Sequence, residues 1–145
     1  MKCEGWKKIA LQEIIQFKNG KKRPTENGTV PVYGGNGILG FCNQNNYEKV
    51  VAIGRVGAYC GSLYLAKGKC WISDNAIAAQ NKTGALLKYI FYLLKWLRLN
   101  ERHIGTGQPL LTQEILNNIV AVVPEYPEQK AIADTLSCLD DKIEL

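Results

Sequence analysis

The chain has 145 residues, of which 46% are hydrophobic and 21% charged, and this suits a single domain with one core. Its most apolar stretch, residues 85–99, is interrupted by lysine and arginine and does not predict a membrane-spanning helix. The N-terminus lacks the apolar segment of a signal peptide, so the sequence predicts a cytoplasmic protein without a membrane partner.

The net charge of +5 is unevenly distributed along the chain. Residues 1–110 carry 16 Lys and Arg against 6 Asp and Glu, whereas residues 111–145 carry 2 against 7. A basic body is the electrostatic footprint of a protein that binds a phosphate backbone, although lysine is also a common surface residue. Charge alone therefore leaves open both nucleic-acid binding and an ordinary solvated surface.

The first half of the chain predicts short strands separated by glycine-rich loops. Apolar runs favour strands over residues 6–9, 15–18, 29–33, 38–42, 50–53, 63–65, 70–73 and 76–80, with one helical turn at 11–15. Gly34-Gly35-Asn36-Gly37 predicts a loop, and Asp74-Asn75 and Lys67-Gly68-Lys69 predict turns.

The pattern changes to helical spacing after Leu86. Apolar residues at Leu87, Ile90, Leu94 and Leu97 predict a helix that ends near Asn100. Thr112 is a predicted cap for a short helix that ends at residue 117, and residues 119–123 predict a strand.

A final helix is predicted from Pro127 onward. Its apolar residues recur at spacings of four, three and four, as in a coiled-coil seam for a partner helix, and they are Ile132, Leu136, Leu139 and Ile143. Packing of this helix on its own domain remains an alternative. The expected fold is α+β, with a Gly-rich, short-stranded β-body, one long internal helix and a C-terminal helix.

The residues needed for catalysis or metal binding are missing from the pattern. His103 is the only histidine, and the chain has no phosphate-binding loop and no second carboxylate near Asp74. The five cysteines form no C-x-x-C pair, so we expect reduced, mostly buried thiols. The sequence predicts a non-catalytic protein with no metal and no cofactor of its own.

The predicted loops do carry the residue types that bind DNA. Planar Arg, Asn and Gln side chains meet base edges, while Lys, Ser and Thr contact phosphates. The candidates are Lys21, Lys22 and Arg23 for phosphate or groove contact, Asn36 and Arg55 for base edges, Thr106 and Gln108 on a third loop, and Tyr59 and Lys82 as further contacts. Each alone is typical of a solvated surface, and their concentration on loops is the signal.

Landmarks along nearly the whole chain, taken in order, resemble the recognition domain of a type I restriction-modification specificity subunit. They are residues 5–8 (GWKK) with 11–14 (LQEI), 30–37 (VPVYGGNG), 53–57 (IGRVG), 105–109 (GTGQP), 119–124 and 127–132 (PEQKAI). The last is similar to the opening of the family's spacer helix. The resemblance divides the chain into a target recognition domain at 1–124 and the start of a spacer and dimerisation helix at 125–145.

This resemblance implies a function and partners. Each recognition domain of the family reads one half of a bipartite double-stranded DNA target. The long helices pair with each other, set the half-site spacing and dock the modification (methyltransferase) subunit, which binds S-adenosylmethionine, and the restriction subunit joins that complex. This chain departs from the pattern of two domains and two long helices, because it holds one domain and the start of one helix.

Three hypotheses therefore stand. The first is sequence-specific reading of duplex DNA. The second is an assembly module, in which the C-terminal helix binds a partner helix, a modification subunit or a second copy, and the body has little DNA affinity. The third, a stand-alone nuclease or methyltransferase, lacks the motifs for either reaction.

Overall fold

A computed structural model of the chain describes residues 5–82, 84–105 and 107–143. Eight strands and three α-helices occur there, in the α+β class that the sequence predicts. The strands are β1 (Lys7–Ala10), β2 (Ile15–Asn19), β3 (Val30–Gly34), β4 (Gly37–Cys42), β5 (Tyr47–Gly54), β6 (Leu63–Ile72), β7 (Ala76–Asn81) and β8 (Val120–Val123). The helices are α1 (Leu87–Trp96), α2 (Gln113–Asn117) and α3 (Tyr126–Ile143), and single 3-10 turns lie at Leu11–Glu13, Gly57–Tyr59 and Leu99–Glu101.

The strands form two sheets. The larger has six strands in the order β2-β7-β5-β6-β3-β4, antiparallel except for a short parallel pairing of β3 with β6. The smaller joins β1 to β8 in antiparallel register, so it ties the N-terminus to the strand that leads into α3. β1 and β8, which are the first and last strands of the described chain, thus form a sheet of their own.

The structure corrects one predicted turn. Lys67-Gly68-Lys69 lies inside β6, which runs without interruption from Leu63 to Ile72. Opposite it the register shifts, with Glu48 facing Lys69 and Val50 facing Ala66, and Lys49 adopts a φ of 53°. The polar, glycine-containing triplet therefore marks a β-bulge, because an extra residue in one strand also favours such residues.

The end of α1 differs slightly from expectation. The α-helix ends at Trp96, Arg98 adopts a left-handed φ of 51°, and a 3-10 turn continues the chain to Glu101. The predicted cap at Thr112 is confirmed, since its hydroxyl accepts a hydrogen bond from the Ile115 backbone N–H at 3.1 Å.

Successive side chains of the central strands point to opposite faces of the sheet, and this produces two separate cores. Val51 and Ile53 of β5 face a large cluster formed with α1, whereas Val50 and Ala52 face a second cluster with Cys70 and Ile72 on β6. Because residues 50–54 of β5 are buried on both faces, this part of the strand is a continuous apolar run rather than an alternating one.

A buried glutamine fixes the start of α3. Gln129 is 2% exposed; its Oε1 accepts from the Leu86 backbone N–H at 3.0 Å, and its Nε2 donates to the Pro124 carbonyl at 3.0 Å. Farther along the helix, the Tyr92 hydroxyl donates to Asp140 at 2.5 Å. Gln129 thereby connects α3 to the start of α1 and to the end of β8.

The predicted apolar seam of α3 divides between two environments. Ile132 packs against the main core, while Leu136 and Leu139 remain 36% and 49% exposed. The side chain of Ile143 lies outside the part of the structure that is described. The first turns of α3 therefore pack against the core, and the later turns carry apolar side chains that the described residues do not cover.

Three of the described cysteines, Cys42, Cys60 and Cys70, are buried free thiols, and Cys138 is exposed. Burial raises the pKa of the Cys70 thiol to about 11 and also raises the pKa of Cys60. The Cys60 and Cys70 thiols therefore stay protonated near neutral pH and pack as small apolar groups. No helix within the described ranges is both long enough and apolar enough to cross a membrane.

Candidate nucleic-acid interface

Three chain segments meet around Arg55, directly after β5. The Arg55 backbone N–H donates to the Asn75 carbonyl at 3.2 Å, and its Nη1 donates to the Asp74 carbonyl at 2.8 Å. The predicted turn at Asp74-Asn75 therefore has a second effect, because its carbonyls hold the arginine in place.

Glycine at position 54 permits this close approach. A Cβ added to Gly54 would lie 2.5 Å from both the Gly35 and the Tyr59 carbonyl oxygens. The two-residue turn between β3 and β4, which carries Asn36, therefore packs directly against the end of β5. Asn36 is exposed, and its Oδ1 accepts from the Tyr64 hydroxyl at 2.8 Å.

The basic segment after β2 reaches the same end of the sheet. The Gly20 N–H donates to the Ala76 carbonyl at 2.9 Å and the Lys21 N–H to the Ile72 carbonyl at 3.0 Å. The Trp71 indole donates to the Lys21 carbonyl at 2.9 Å. Backbone groups thus anchor the segment, and the exposed Lys21 and Lys22 side chains are left for solvent or a ligand.

A third loop completes the cluster. The Gly57 N–H donates to the Pro109 carbonyl at 3.0 Å, and the Leu111 N–H donates to the Arg55 carbonyl at 2.8 Å. Gln108 Nε2 lies 4.0 Å from the position of a Cβ at Gly57, and Gln108 is exposed. Thr106, predicted on the same loop, lies outside the described residues.

We call this surface the loop cluster. Its members are Lys21, Lys22, Arg23, Asn36, Arg55, Tyr59 and Gln108. No ion pair within the described ranges involves any of its four cationic side chains. Their positive charge is therefore available to an anionic ligand.

Lys82 lies apart from the loop cluster. It follows β7 at the end opposite Ala76, and six strand residues at about 3.3 Å each separate the two ends by about 20 Å. Its backbone N–H donates to the Ile14 carbonyl at 2.8 Å, and its ammonium group donates to the Gln12 carbonyl. Its predicted DNA contact stays a prediction and does not share the geometry of the others.

Sequence reasoning missed the residues that hold the cluster and those that surround it. Trp71 and Gly54 position the loops, but a lone Trp and a strand-end Gly carry no distinctive pattern. It also missed the exposed apolar side chains of β4 and Trp96, which is 81% exposed on α1. Three apolar residues within Ile38–Phe41 were a readable signal, because they do not alternate as a half-buried strand does.

The fold of the chain matches that of solved specificity subunits of type I restriction-modification systems. It superposes on the S subunit of the type I restriction-modification system from M. genitalium with a TM-score of 0.80 and 21% identity, covering 99% of this chain and 42% of that one. The HsdS subunit from Thermoanaerobacter tengcongensis matches with a TM-score of 0.74 and 19% identity, covering 99% and 39%.

The curated relatives found by sequence comparison are also type I specificity subunits. The chain is 28% identical over 143 residues to the type I restriction enzyme EcoprrI specificity subunit of Escherichia coli, covering 92% of this chain and 36% of the relative. It is also 28% identical over 158 residues to the MjaVIII specificity subunit of Methanocaldococcus jannaschii, covering 97% and 37%. The chain thus spans a little over a third of the length of these relatives.

Residues 3–145 match the family described as "Type I restriction modification DNA specificity domain", and the chain belongs to that family. The predicted resemblance is therefore confirmed, and the chain holds a single such domain.

Proposed function

We propose that this chain reads a short sequence in double-stranded DNA as one target recognition domain of a type I restriction-modification complex. The observation that carries the proposal is the loop cluster, in which Asn36, Arg55 and Gln108 converge with the basic segment Lys21–Arg23. Base edges are read by such planar side chains, and cationic side chains bind the flanking phosphates.

Different residues of the loop cluster suit different contacts with DNA. The Asp74 carbonyl accepts a hydrogen bond from Arg55 Nη1, so the guanidinium is oriented before DNA arrives, and this supports a base contact. The Lys21 and Lys22 side chains are exposed, and the hydrogen bonds of Lys21 come from its backbone, which supports adaptable phosphate contacts.

Membership of the family supports a wider assignment. We propose that the domain at 1–124 reads one half of a bipartite target in the cytoplasm, and that the segment 125–145 begins the spacer helix. In this assignment the modification subunit binds S-adenosylmethionine and performs methylation, the restriction subunit joins through the complex, and this chain supplies specificity without catalysis.

A second candidate, the assembly module, is favoured by the helical side of the domain. A groove of about 310 Å³ lies between α1 and α3, and its lining includes Trp6, Tyr92, Trp96 and Leu136. With the exposed Leu139, this surface suits a partner helix that packs along Ile132, Leu136, Leu139 and Ile143. The partner in this proposal is a modification subunit, the helix of a second domain or a second copy of the chain.

The deciding experiment is selection of bound duplexes from a random DNA pool at about physiological salt, with and without the modification subunit. Enrichment of one short motif is the expected result, and two copies at fixed spacing would add a dimer. A folded chain that enriches nothing in either arm, yet associates with a partner or with itself in solution-mass measurements, would favour the assembly module instead.

A further inference from the structure

The edge of the large sheet beside the loop cluster exposes an apolar surface. β4 is the last strand, and its side chains Ile38, Leu39 and Phe41 are 52%, 52% and 49% exposed. Single exposed apolar residues are ordinary, but three within four positions mark a surface with a partner.

Two glycines of the β3–β4 hairpin, Gly34 and Gly40, are in close contact with neighbouring side chains. A register shift places Leu39 in a bulge, where it covers Gly34 so closely that a Cβ there would lie 2.5 Å from Leu39 Cδ1. On the same strand Gly40 accommodates the Arg23 guanidinium, whose Nη2 lies 3.1 Å from a Cβ built at that position. A cation from the loop cluster therefore lies against β4, on the face of the ribbon to which Gly40 belongs.

The β3–β4 hairpin has the shape and charge of an element that enters a DNA groove. Only Val32 and Tyr33 pair with β6, so the hairpin is largely a two-stranded ribbon. Residues 27–47 contain no Asp or Glu, so β3 and β4 themselves carry no acidic group to repel phosphates. The carboxylate of Glu26 lies beyond the end of β4, where it accepts a hydrogen bond from Asn43 Nδ2 at 2.7 Å. The major groove of B-DNA admits a two-stranded β-ribbon, and its one apolar feature is the 5-methyl group of thymine.

We propose that the β3–β4 ribbon enters the major groove and that Ile38 and Phe41 recognise the 5-methyl groups of thymines within the target. This inference rests on the proposed DNA-reading function and adds a specificity that no hydrogen-bonding residue of the loop cluster supplies. Asn36 at the turn contacts a neighbouring base edge.

The test uses the selected target with each thymine replaced in turn by deoxyuracil, which removes one methyl group and keeps every hydrogen-bonding group. The wild-type chain is expected to bind about fourfold more weakly for each contacted methyl that is lost. In Ile38→Ser or Phe41→Ser, one of these uracil effects should disappear, because the side chain that sensed the methyl is gone.

Val122→Ser is the matched control, since Val122 is a half-exposed strand residue in the separate β1–β8 sheet and should leave every uracil effect unchanged. Circular dichroism checks that the variants are folded, and the uracil series on the wild-type chain needs no variant at all.

A selected motif that has no thymine, or whose thymines tolerate uracil without loss of affinity, overturns the inference while leaving the proposed function intact. Self-association that Phe41→Ser abolishes, with DNA binding unchanged, also overturns it and assigns the β4 edge to protein pairing. Failure to enrich any motif is a different result, because it removes the proposed function itself.

Discussion

The loop cluster and the α1–α3 face are built in opposite ways. In the loop cluster, backbone hydrogen bonds and a close-packed glycine hold the segments, and the Lys21 and Lys22 side chains stay exposed. On the α1–α3 face, side chains do the holding through Gln129, Tyr92 and the packing of Ile132. A surface whose segments are held by backbone hydrogen bonds tolerates changes in its side chains.

Among the variants that test this contrast, Gly54→Ala should have the largest effect. Its Cβ would meet two backbone carbonyls at 2.5 Å, so the turn carrying Asn36 has to move away from β5. We expect the free energy of unfolding to fall by about 3 kcal/mol and sequence-specific binding to be lost. Gly68→Ala, where nothing lies within 4 Å of the new Cβ, is the control in urea unfolding. Equal stability of the two variants would contradict the backbone-held description.

Gln129→Leu tests the other region. Losing the amide leaves the Leu86 N–H and the Pro124 carbonyl without their partner, and we expect a destabilisation of about 2 kcal/mol. Chemical denaturation measures it, with Gln16→Leu on the exposed side of β2 as the control. If the cluster is independent of α3, the sequence preference of the remaining folded protein should be unchanged.

Arg55→Ala should lower the affinity for DNA and leave the stability of the helices unchanged. We expect a loss of about 2 kcal/mol in binding free energy, concentrated at one base pair, because a bidentate base contact disappears. Arg55→Lys retains the charge but not the planar fork, so it should relax the same position with a smaller loss of overall affinity. Titration against single-base variants of the target measures this, and an unchanged preference in Arg55→Ala would remove Arg55 from the reading residues.

Lys22→Ala should have a weaker and more uniform effect. Loss of one phosphate contact lowers the affinity for all sequences alike and reduces the slope of log K against log salt by about one unit. Lys130→Ala is a suitable control, because Lys130 is paired with Asp134 on α3, away from the loop cluster. A base-specific effect of Lys22→Ala would move Lys22 from phosphate contact to base reading.

The smallest expected effect is a pH dependence of the α1–α3 contact. Burial, together with the hydrogen bond to Asp140, raises the pKa of Tyr92 from 10.0 to about 12. The folded state therefore favours the neutral phenol, and this stabilisation is full below pH 10 and is lost as the pH rises from 10 to 12. Thermal unfolding across that window should show a shallower decline in Tyr92→Phe than in the wild-type chain, and identical declines would show that the hydrogen bond contributes nothing.

Much of the fold could be predicted because local signals agreed with the tertiary result. The apolar spacing of Ile90 and Leu94, the cap at Thr112 and the turn at Asp74-Asn75 are all present in the structure. The error at Lys67-Gly68-Lys69 has a physical cause, since a glycine between lysines is compatible with either a turn or a bulge. Only the pairing of β6 with β5 distinguishes them.

The sequence by itself determined the class of fold, the basic body with its acidic C-terminal segment, and the residue types available to contact DNA. Tertiary structure decided which of those residues share a surface. Lys21 and Gln108 lie far apart in the chain and meet around Arg55, whereas Lys82 is fixed at the other end of β7. Residue types follow from composition and local pattern, but proximity depends on strand order and backbone hydrogen bonds between distant segments.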